Sequence, residues 1–170
     1  MYSAAASCDT TTAAHFLRAT FPQSAIHGVG FSLGASVLAR YLGESGSDSL
    51  LSSGCVLGCP WNIVDMSHAL EDGWFSSRVY SSALGQNLLR MFFRAYDSNP
   101  GVFDADDSRC KDVIEDLRRL RKMGNKVRLR MVDDLLVCRV GGPIKPWPFA
   151  NAQAYYEYAS SDKLIHNVKV

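Results

Sequence analysis

The chain has 170 residues, of which 47% are hydrophobic and 21% are charged, with 18 basic and 17 acidic side chains. This length suits one globular domain, and the hydrophobic content excludes a disordered chain. A net charge of +1 gives the molecule no overall field that gathers nucleic acid or anionic lipid, so an electrostatic binder is not expected.

The first third of the sequence predicts a strand–helix–strand unit. Its segments are a helix over residues 12–20 that Pro22 ends, an apolar strand over 25–31 that stops at Ser32, a helix over 33–42 closed by Gly43 and Gly46, and a buried strand within 51–60. Two such strands joined by a helix form a βαβ unit, which implies a parallel sheet covered by helices.

A block of mainly helical sequence follows Trp61. The periodicity predicts helices over residues 62–70, 80–96 and 105–123, the last of which ends at Gly124. The apolar face of the second of these helices comprises Ala83, Leu84, Leu88, Met91, Phe92 and Ala95. Apolar residues that alternate with Arg128 and Arg130 predict a strand over 127–132. The remaining segments are a loop over 141–148, a helix over 150–160 and the start of a strand over 166–170.

The cysteines do not indicate a metal site. They are Cys8, Cys55, Cys59, Cys110 and Cys138. Only Cys55 and Cys59 lie close together, and no second pair completes four zinc ligands, so they are interpreted as small hydrophobes buried in a strand. The first residues lack the basic and apolar segments of a signal peptide, and no apolar run is long enough to span a bilayer. We therefore expect a reduced, intracellular chain that needs no metal and no cofactor.

The most specific chemical motif is Gly30-Phe-Ser-Leu-Gly34, which lies between a predicted strand and a predicted helix. In a nucleophile elbow the chain turns so sharply that the residues two before and two after the serine must be nearly free of side chain. This interpretation makes Ser32 the nucleophile, Gly30 and Gly34 the elbow glycines, and the backbone N–H of Leu33 an oxyanion donor. The alternative is a glycine-rich turn in which Ser32 is an ordinary helix N-cap.

A serine nucleophile needs a base, and the base needs an orienting acid. The histidines are His15, His27, His68 and His166. In the chain order serine, acid, histidine, only His68 and His166 follow Ser32, and neither is predicted at the carboxyl end of a sheet strand. No acidic residue follows a well-marked core strand, and the early loop that supplies the first oxyanion donor has no counterpart. The triad acid and histidine are therefore expected to be absent from this chain.

Two further features each allow two interpretations. The basic residues between Arg118 and Arg130 could form a patch for nucleic acid or membrane, but the acidic residues that flank them favour a solvated helix face. The aromatic residues between Trp74 and Tyr96 could line a pocket for an acyl chain or simply pack between helices.

From Ala25 onward the sequence resembles one branch of the α/β-hydrolases. This branch comprises the embryogenesis-associated type and the fungal medium-chain fatty-acid ethyl-ester synthases, which are alcohol O-acyltransferases with esterase and monoacylglycerol lipase activity. The resemblance is carried by Gly28-Val-Gly-Phe-Ser-Leu-Gly-Ala35, Leu38-Ala-Arg-Tyr-Leu-Gly-Glu44, Gly58-Cys-Pro-Trp61, and Ser160-Ser161 ahead of His166-Asn-Val-Lys-Val170.

The resemblance implies a partial α/β-hydrolase sheet with flanking helices and a helical cap insertion. Residues 12–60 would form the core with the elbow, 61–148 the cap, and 149–170 a helix and the start of a later strand. The segment 127–134 would then belong to the cap, which opposes the strand predicted there. In the family, the acid follows the strand that would begin at 168–170 and the histidine comes later still, so the resemblance implies a truncated central fragment.

The predicted function is a carboxylic-ester hydrolase or acyltransferase that forms an acyl-serine from lipid esters or acyl-thioesters such as acyl-CoA. Water or a short alcohol accepts the acyl group, and this chain is expected to be weak or inactive. The alternative is a non-catalytic remnant or interaction domain. No nucleic acid and no transmembrane segment are expected. The expected location is cytoplasmic, or peripheral to lipid droplets or organelle membranes.

Overall fold

The computed structural model describes residues 3–99, 108–142 and 145–170. The described chain divides into two compact units, which we name by their content. The elbow unit comprises residues 3–64 and Tyr156–Val170, and the helical unit comprises Asp65–Tyr155. Residues 105–107 of one predicted helix and residues 143–144 of the predicted loop lie outside the description.

The elbow unit contains the predicted βαβ arrangement. Its elements are α1 (Cys8–Thr20), β1 (His27–Phe31), α2 (Leu33–Ser45), β2 (Ser53–Leu57) and 3₁₀ turns at Gly46–Asp48 and Asp162–Asn167. The two strands pair in parallel, with His27 opposite Ser53 and Phe31 opposite Leu57. The predicted fold class is confirmed: a small parallel sheet with flanking helices, as in part of an α/β-hydrolase.

Glycines allow α2 to pack closely on the sheet. A Cβ atom on Gly28 would lie 2.9 Å from Leu38 Cδ1, and one on Gly54 would lie 2.5 Å from Leu42 Cδ1. The leucine side chains therefore fill the space that side chains on the strands would otherwise occupy. The resulting apolar cluster is formed by Ala14, Ile26, Leu38, Tyr41, Leu42 and Leu51.

The predicted end of this helix at Gly43 is wrong. Gly43 lies inside α2, where a Cβ atom would be 2.6 Å from Leu164 Cβ. The glycine is needed for close packing against the 3₁₀ turn Asp162–Asn167, and it does not end the helix. Gly46, with φ of 52°, follows the last residue of α2, as predicted.

The strands are not buried as predicted. Val29 and Phe31 are 62% and 65% exposed, Cys55 is exposed, and Cys59 is only half-buried. Within the described residues, α2 covers one face of the two-stranded sheet and the other face is open, because alternate strand residues point to opposite faces. The apolar composition of the strands therefore did not reveal which face is covered.

The strand predicted over 166–170 is also wrong. Residues 162–167 form a 3₁₀ turn, and residues 168–170 pair with no strand within the described chain. Val168 has an extended backbone, but its N–H donates to Ile165 O at 3.2 Å. Its side chain packs beside the apolar cluster of the elbow unit.

The regular secondary structure of the helical unit, within its described residues, consists of helices and helical turns. Its elements are α3 (Ile63–Glu71, whose first residues belong to the elbow unit), a π-helical turn (Ser76–Ser81), α4 (Ser82–Ser98), α5 (Ser108–Arg121), a 3₁₀ turn (Gly124–Lys126), α6 (Leu129–Val132), a π-helical turn (Asp133–Val137), α7 (Cys138–Val140) and the first half of α8 (Ala152–Ala159). The helices predicted over 62–70, 105–123 and 150–160 correspond to α3, α5 and α8. The assignment of this unit as a cap stays a prediction.

The predicted apolar face of α4 is right at Phe92 and, in part, at Leu88, and wrong at Ala83, Leu84, Met91 and Ala95, which are exposed. Leu84 and Met91 are about half exposed, whereas Leu89, Phe92 and Phe93 are buried. The buried face continues through Ser81, Ser82 and Gly85 because α6 packs there at backbone distance. A Cβ atom on Gly85 would lie 2.9 Å from the carbonyl carbon of Arg128. The residues at this contact are small, and a search for apolar residues at helical spacing does not find serine or glycine.

The strand predicted over 127–132 is a helical turn. Val127 and Val132 are both fully buried, whereas Met131 is 39% exposed, so the burial does not alternate. The N–H of Leu129 donates to Ser81 Oγ at 3.0 Å, and the N–H of Val132 donates to Arg128 O at 3.4 Å. These bonds give the segment helical turns and leave no backbone free for a strand ladder.

Candidate active site

Ser32 has the backbone geometry of a strained elbow. It directly follows β1 and precedes α2, with φ of 51° and ψ of −120°. It is the one non-glycine residue with positive φ in the described part of the chain. Such conformations cost about 1–3 kcal/mol and concentrate at functional sites. The side chain is exposed at the carboxyl end of the strand.

Gly30 explains why the turn can be so tight. A Cβ atom on Gly30 would lie 2.6 Å from Gly34 O and 2.7 Å from Ala35 Cα. Both atoms belong to the backbone and cannot move aside as a flexible side chain can. The first turn of α2 therefore packs directly against the strand, and this contact holds Ser32 at the corner.

The first turn of α2 leaves backbone N–H groups available beside Ser32. The helical hydrogen bonds begin with the amides of Ala35 and Ser36, which donate to Ser32 O at 2.9 and 3.3 Å. The amides of Leu33 and Gly34 precede this ladder. No acidic residue lies in the first turn, so the positive end of the helix dipole is not neutralised there. This arrangement suits an anion.

The alternative interpretation of Ser32 as an ordinary N-cap does not match this geometry. An N-cap residue has extended backbone, and its side-chain oxygen accepts an amide from the first turn. Ser32 has neither the extended backbone nor a side-chain capping hydrogen bond. Its hydroxyl is not used in holding the helix.

The loop that follows β2 lies next to the elbow. The N–H of Ser32 donates to Leu57 O at 2.9 Å. Ser36 is fully buried, and its hydroxyl donates to Pro60 O at 3.4 Å and lies 3.9 Å from Cys59 Sγ. Burial raises the pKa of the Cys59 thiol, although the Ser36 and Ser161 hydroxyls oppose this effect. Cys59 is therefore a protonated neighbour of the site at neutral pH.

Two histidines of the elbow unit lie far from Ser32 along regular elements. His27 is at the opposite end of β1, where its Nδ1 lies 2.8 Å from Ser53 Oγ. Five strand residues at about 3.3 Å each separate it from Ser32 by about 16 Å. His166 belongs to the 3₁₀ turn that packs at Gly43 and Gly46. Helix α2 has 13 residues, so its two ends lie about 20 Å apart.

The other two histidines are both exposed. His15 is exposed on α1. His68 is exposed in the helical unit, and its Nδ1 lies 3.9 Å from Asp72 Oδ2. Within the described residues of the elbow unit, no histidine hydrogen-bonds to Ser32.

Sequence reasoning missed the contacts that hold this site from the far end of the chain. Arg40 is buried, and its Nη1 donates to Tyr158 O with the guanidinium carbon 4.3 Å from the Tyr158 ring centroid. Its Nε lies 2.7 Å from Glu44 Oε1. Ser160 Oγ accepts the N–H of Ile63 at 2.9 Å. In the sequence, residues 38–44 and 160–161 both carry the family resemblance. That resemblance does not indicate that the two segments are in contact.

The described residues lack the features of two other classes of site. No group of three or more histidine, cysteine, aspartate or glutamate residues there is arranged to hold a metal ion. Nor does any helix there combine the length and apolar character that crossing a bilayer requires.

Comparison with known proteins finds several relatives. The chain is 33% identical over 156 residues to a monoacylglycerol lipase of Saccharomyces cerevisiae. The aligned residues cover 90% of this chain and 30% of that protein. It is 29% identical over 140 residues to an abhydrolase domain-containing protein of Dictyostelium discoideum, covering 82% of this chain and 30% of that protein. It is 26% identical over 159 residues to medium-chain fatty acid ethyl ester synthase/esterase 2 of S. cerevisiae, covering 88% of this chain and 33% of that protein.

The chain thus spans about a third of the length of these curated relatives. No family model matches the sequence. No solved structure matches it either.

Proposed function

The chain belongs to the α/β-hydrolases, and on that premise we propose that Ser32 is the nucleophile of an acyl-transfer site for lipid esters. The observation that carries the proposal is the positive φ of Ser32 at the corner between β1 and α2. A serine that merely ends a strand has no need of this strained backbone, whereas a nucleophile must present its hydroxyl at the edge of the sheet.

The proposed chemistry follows from the groups around Ser32. Ser32 Oγ attacks the carbonyl carbon of the ester, and the negative charge on the carbonyl oxygen is stabilised by the Leu33 N–H at the start of α2. Collapse of this intermediate breaks the bond to the leaving alcohol or thiol, which takes up a proton, and leaves an acyl-serine. Water or a short alcohol then takes the acyl group and restores the serine hydroxyl.

Weak turnover by the chain alone is part of the proposal. The Ser32 proton must pass to a base, and no histidine hydrogen-bonds to Ser32 among the described residues of the elbow unit. A serine site that lacks its base but keeps oxyanion donors retains about 10³-fold catalysis over water. Hydroxide or buffer must then accept the proton, which makes the first acyl transfer slow.

The substrate class rests on the relatives, whose names include a monoacylglycerol lipase and a medium-chain ethyl ester synthase/esterase. We extend to this chain the lipid ester as acyl donor, with acyl-CoA as a second donor and water or a short alcohol as acceptor. Medium-chain acyl groups and peripheral association with lipid droplets or organelle membranes belong to the same proposal, because such substrates reside at lipid surfaces.

A serine-directed fluorophosphonate tests the nucleophile. We expect slow modification that mass spectrometry maps to Ser32, and its loss in Ser32→Ala. The matched control is Ser24→Ala, which removes an exposed serine from a turn and should leave the rate of modification unchanged. Modification spread evenly over several serines, with no dependence on Ser32, would overturn the assignment.

Imidazole in the buffer tests the missing base. We expect added imidazole to accelerate hydrolysis of a 4-nitrophenyl ester by the unaltered chain more than by Ser32→Ala, because it can accept the Ser32 proton. Fast turnover without imidazole would contradict the claim that the chain alone is weak.

A non-catalytic interaction domain is the second candidate, and one observation favours it. The face of the sheet opposite α2 carries Val29, Phe31 and Leu57, all at least 47% exposed. This candidate predicts a stably folded chain whose Ser32 has no reactivity above that of Ser24, so the fluorophosphonate experiment separates the two functions.

A further inference from the structure

The loop Gly58–Trp61 begins at the same edge of the sheet as Ser32. Phe31 and Leu57 are directly opposite in the parallel pair, so the residues that follow them leave the sheet side by side. The hydrogen bond from Ser32 N to Leu57 O, at 2.9 Å, joins the two exits. In parallel sheets, ligands bind beyond the carboxyl ends of the strands.

The backbone of this loop is held on two sides. On the elbow side, the Ser36 hydroxyl donates to Pro60 O at 3.4 Å. On the other side, the N–H groups of Ser161 and Asp162 both donate to Trp61 O, at 2.9 and 3.1 Å. The N–H of Trp61 itself donates to Cys59 O at 3.0 Å. The position of Trp61 is therefore fixed relative to Ser32.

The segment that contains Ser161 and Asp162 is itself anchored in the interior of the elbow unit. Ser160 is buried, and its hydroxyl donates to Tyr156 O at 2.8 Å while it accepts the N–H of Ile63 at 2.9 Å. Two residues earlier in the chain, Tyr158 O accepts from buried Arg40 of α2. The segment that holds Trp61 is thus tied to the same helix that begins at Ser32.

The side chain of Trp61 contrasts with its fixed backbone. The residue is 37% exposed, and within the described residues its indole takes part in no ring contact or hydrogen bond. Trp147, by comparison, is 2% exposed and donates its Nε1–H to Val137 O at 2.7 Å. An indole on a fixed backbone and 37% open to solvent offers apolar area to a ligand, and its two side-chain torsions make ordering it cost little conformational entropy.

We infer that Trp61 is a specificity-determining residue of the Ser32 site, whose indole forms an apolar wall for the acyl chain of the substrate. This inference rests on the proposed function. Ser161 and Asp162 act as positioning residues through their backbone amides. Since the wall is apolar, it favours long acyl groups over short ones.

The test compares the rates at which an ethyl and a decyl fluorophosphonate modify Ser32. In Trp61→Ala we expect the ratio of the decyl rate to the ethyl rate to fall about tenfold, because the contact that the longer chain gains is lost. Trp61→Phe keeps an aromatic wall and should retain most of the preference. Circular dichroism of each variant checks that the fold is intact.

The matched control is Phe21→Ala. Phe21 is a 52% exposed aromatic residue of the same unit that follows α1, ahead of the amino end of β1, so its loss should leave the ratio unchanged. An unchanged ratio in Trp61→Ala overturns this inference while the proposed nucleophile stands. Absence of Ser32 modification by either probe in the unaltered chain overturns the proposed function and this inference with it.

Discussion

Gly30 is a single residue whose lack of a side chain was predictable from the sequence motif alone. The sequence predicted that this position must lack a side chain, and a Cβ atom there would lie 2.6 Å from Gly34 O. This close approach is what a sharp turn at Ser32 requires, and Gly30 as an elbow glycine stays a prediction. The role of Ser32 as nucleophile stays a prediction.

A pair of glycine substitutions in β1 tests this packing. Gly30→Ala should lower the free energy of unfolding by about 2 kcal/mol, because the new methyl group meets backbone atoms that cannot yield. Gly28→Ala should cost less, since its nearest neighbours are the flexible ends of Leu38 and Leu51. Urea denaturation followed by circular dichroism measures both. Equal losses in the two variants would contradict the packing argument.

Arg40 is the one buried charged residue among the described residues of the elbow unit. Its guanidinium combines the hydrogen bond to Tyr158 O, the contact with the Tyr158 ring and the ion pair with Glu44. We expect Arg40→Ala to lower the free energy of unfolding by about 2 kcal/mol, because the buried Arg40 side chain loses both its hydrogen bond to Tyr158 O and its contact with the Tyr158 ring.

The control is Arg119→Ala on α5. Arg119 pairs with Glu115 at the surface, with its side chain 69% exposed, and an exposed pair contributes between about 0 and 1 kcal/mol. Its loss should change thermal unfolding little. If the two arginine variants melted alike, the Arg40 contacts would be no more than surface contacts.

Helix α4 shows at the scale of an element what periodicity can and cannot reveal. The helix itself was predicted, since apolar residues recur at three and four. The buried face of α4 was predicted only in part. Ser82 and Gly85 of α4, with Ser81 just before it, face α6 and the neighbouring turn, and these small residues do not stand out as apolar. Hydroxyl groups bond there to backbone and side-chain partners: Ser82 Oγ donates to Asn125 O at 3.0 Å.

Two leucines of α4 test the corrected face. Leu89→Ala should lower the free energy of unfolding by about 3 kcal/mol, because Leu89 is 2% exposed in the apolar cluster of the helical unit. Leu84→Ala should change it by less than about 0.5 kcal/mol, since Leu84 is 46% exposed. Guanidinium titration of both variants decides between the faces, and the reverse order would restore the face that periodicity predicts.

For the molecule as a whole, the sequence sufficed for the fold class and the βαβ core but not for the burial of the sheet. Strand β1, which contains Val29 and Phe31, has the apolar composition that is typical of a strand covered on both faces. Whether a face is covered depends on which other segments pack there, and that is not a local property of the strand. The contacts between Trp61 and Ser161 could not be predicted for the same reason.

A matched pair of valine substitutions tests the exposure of the sheet. Val29→Thr should leave the free energy of unfolding within about 0.5 kcal/mol of the unaltered chain, because Val29 is 62% exposed. Val127→Thr should lower it by about 2 kcal/mol, since Val127 is fully buried and the new hydroxyl has to find a partner. Comparable losses would show that the outer face of the sheet is covered in solution.

The elbow unit is assembled from two stretches of chain that the helical unit separates. Arg40 and Tyr158, which join these stretches, are 118 residues apart in sequence. The entropy of closing so large a loop rises only with the logarithm of its length, so the arrangement affects equilibrium stability little. Folding rate responds differently, because contacts distant in sequence slow the search. During synthesis, Ser32 can reach its final surroundings only after Tyr158 has left the ribosome, so the site should form well after Ser32 itself has been made.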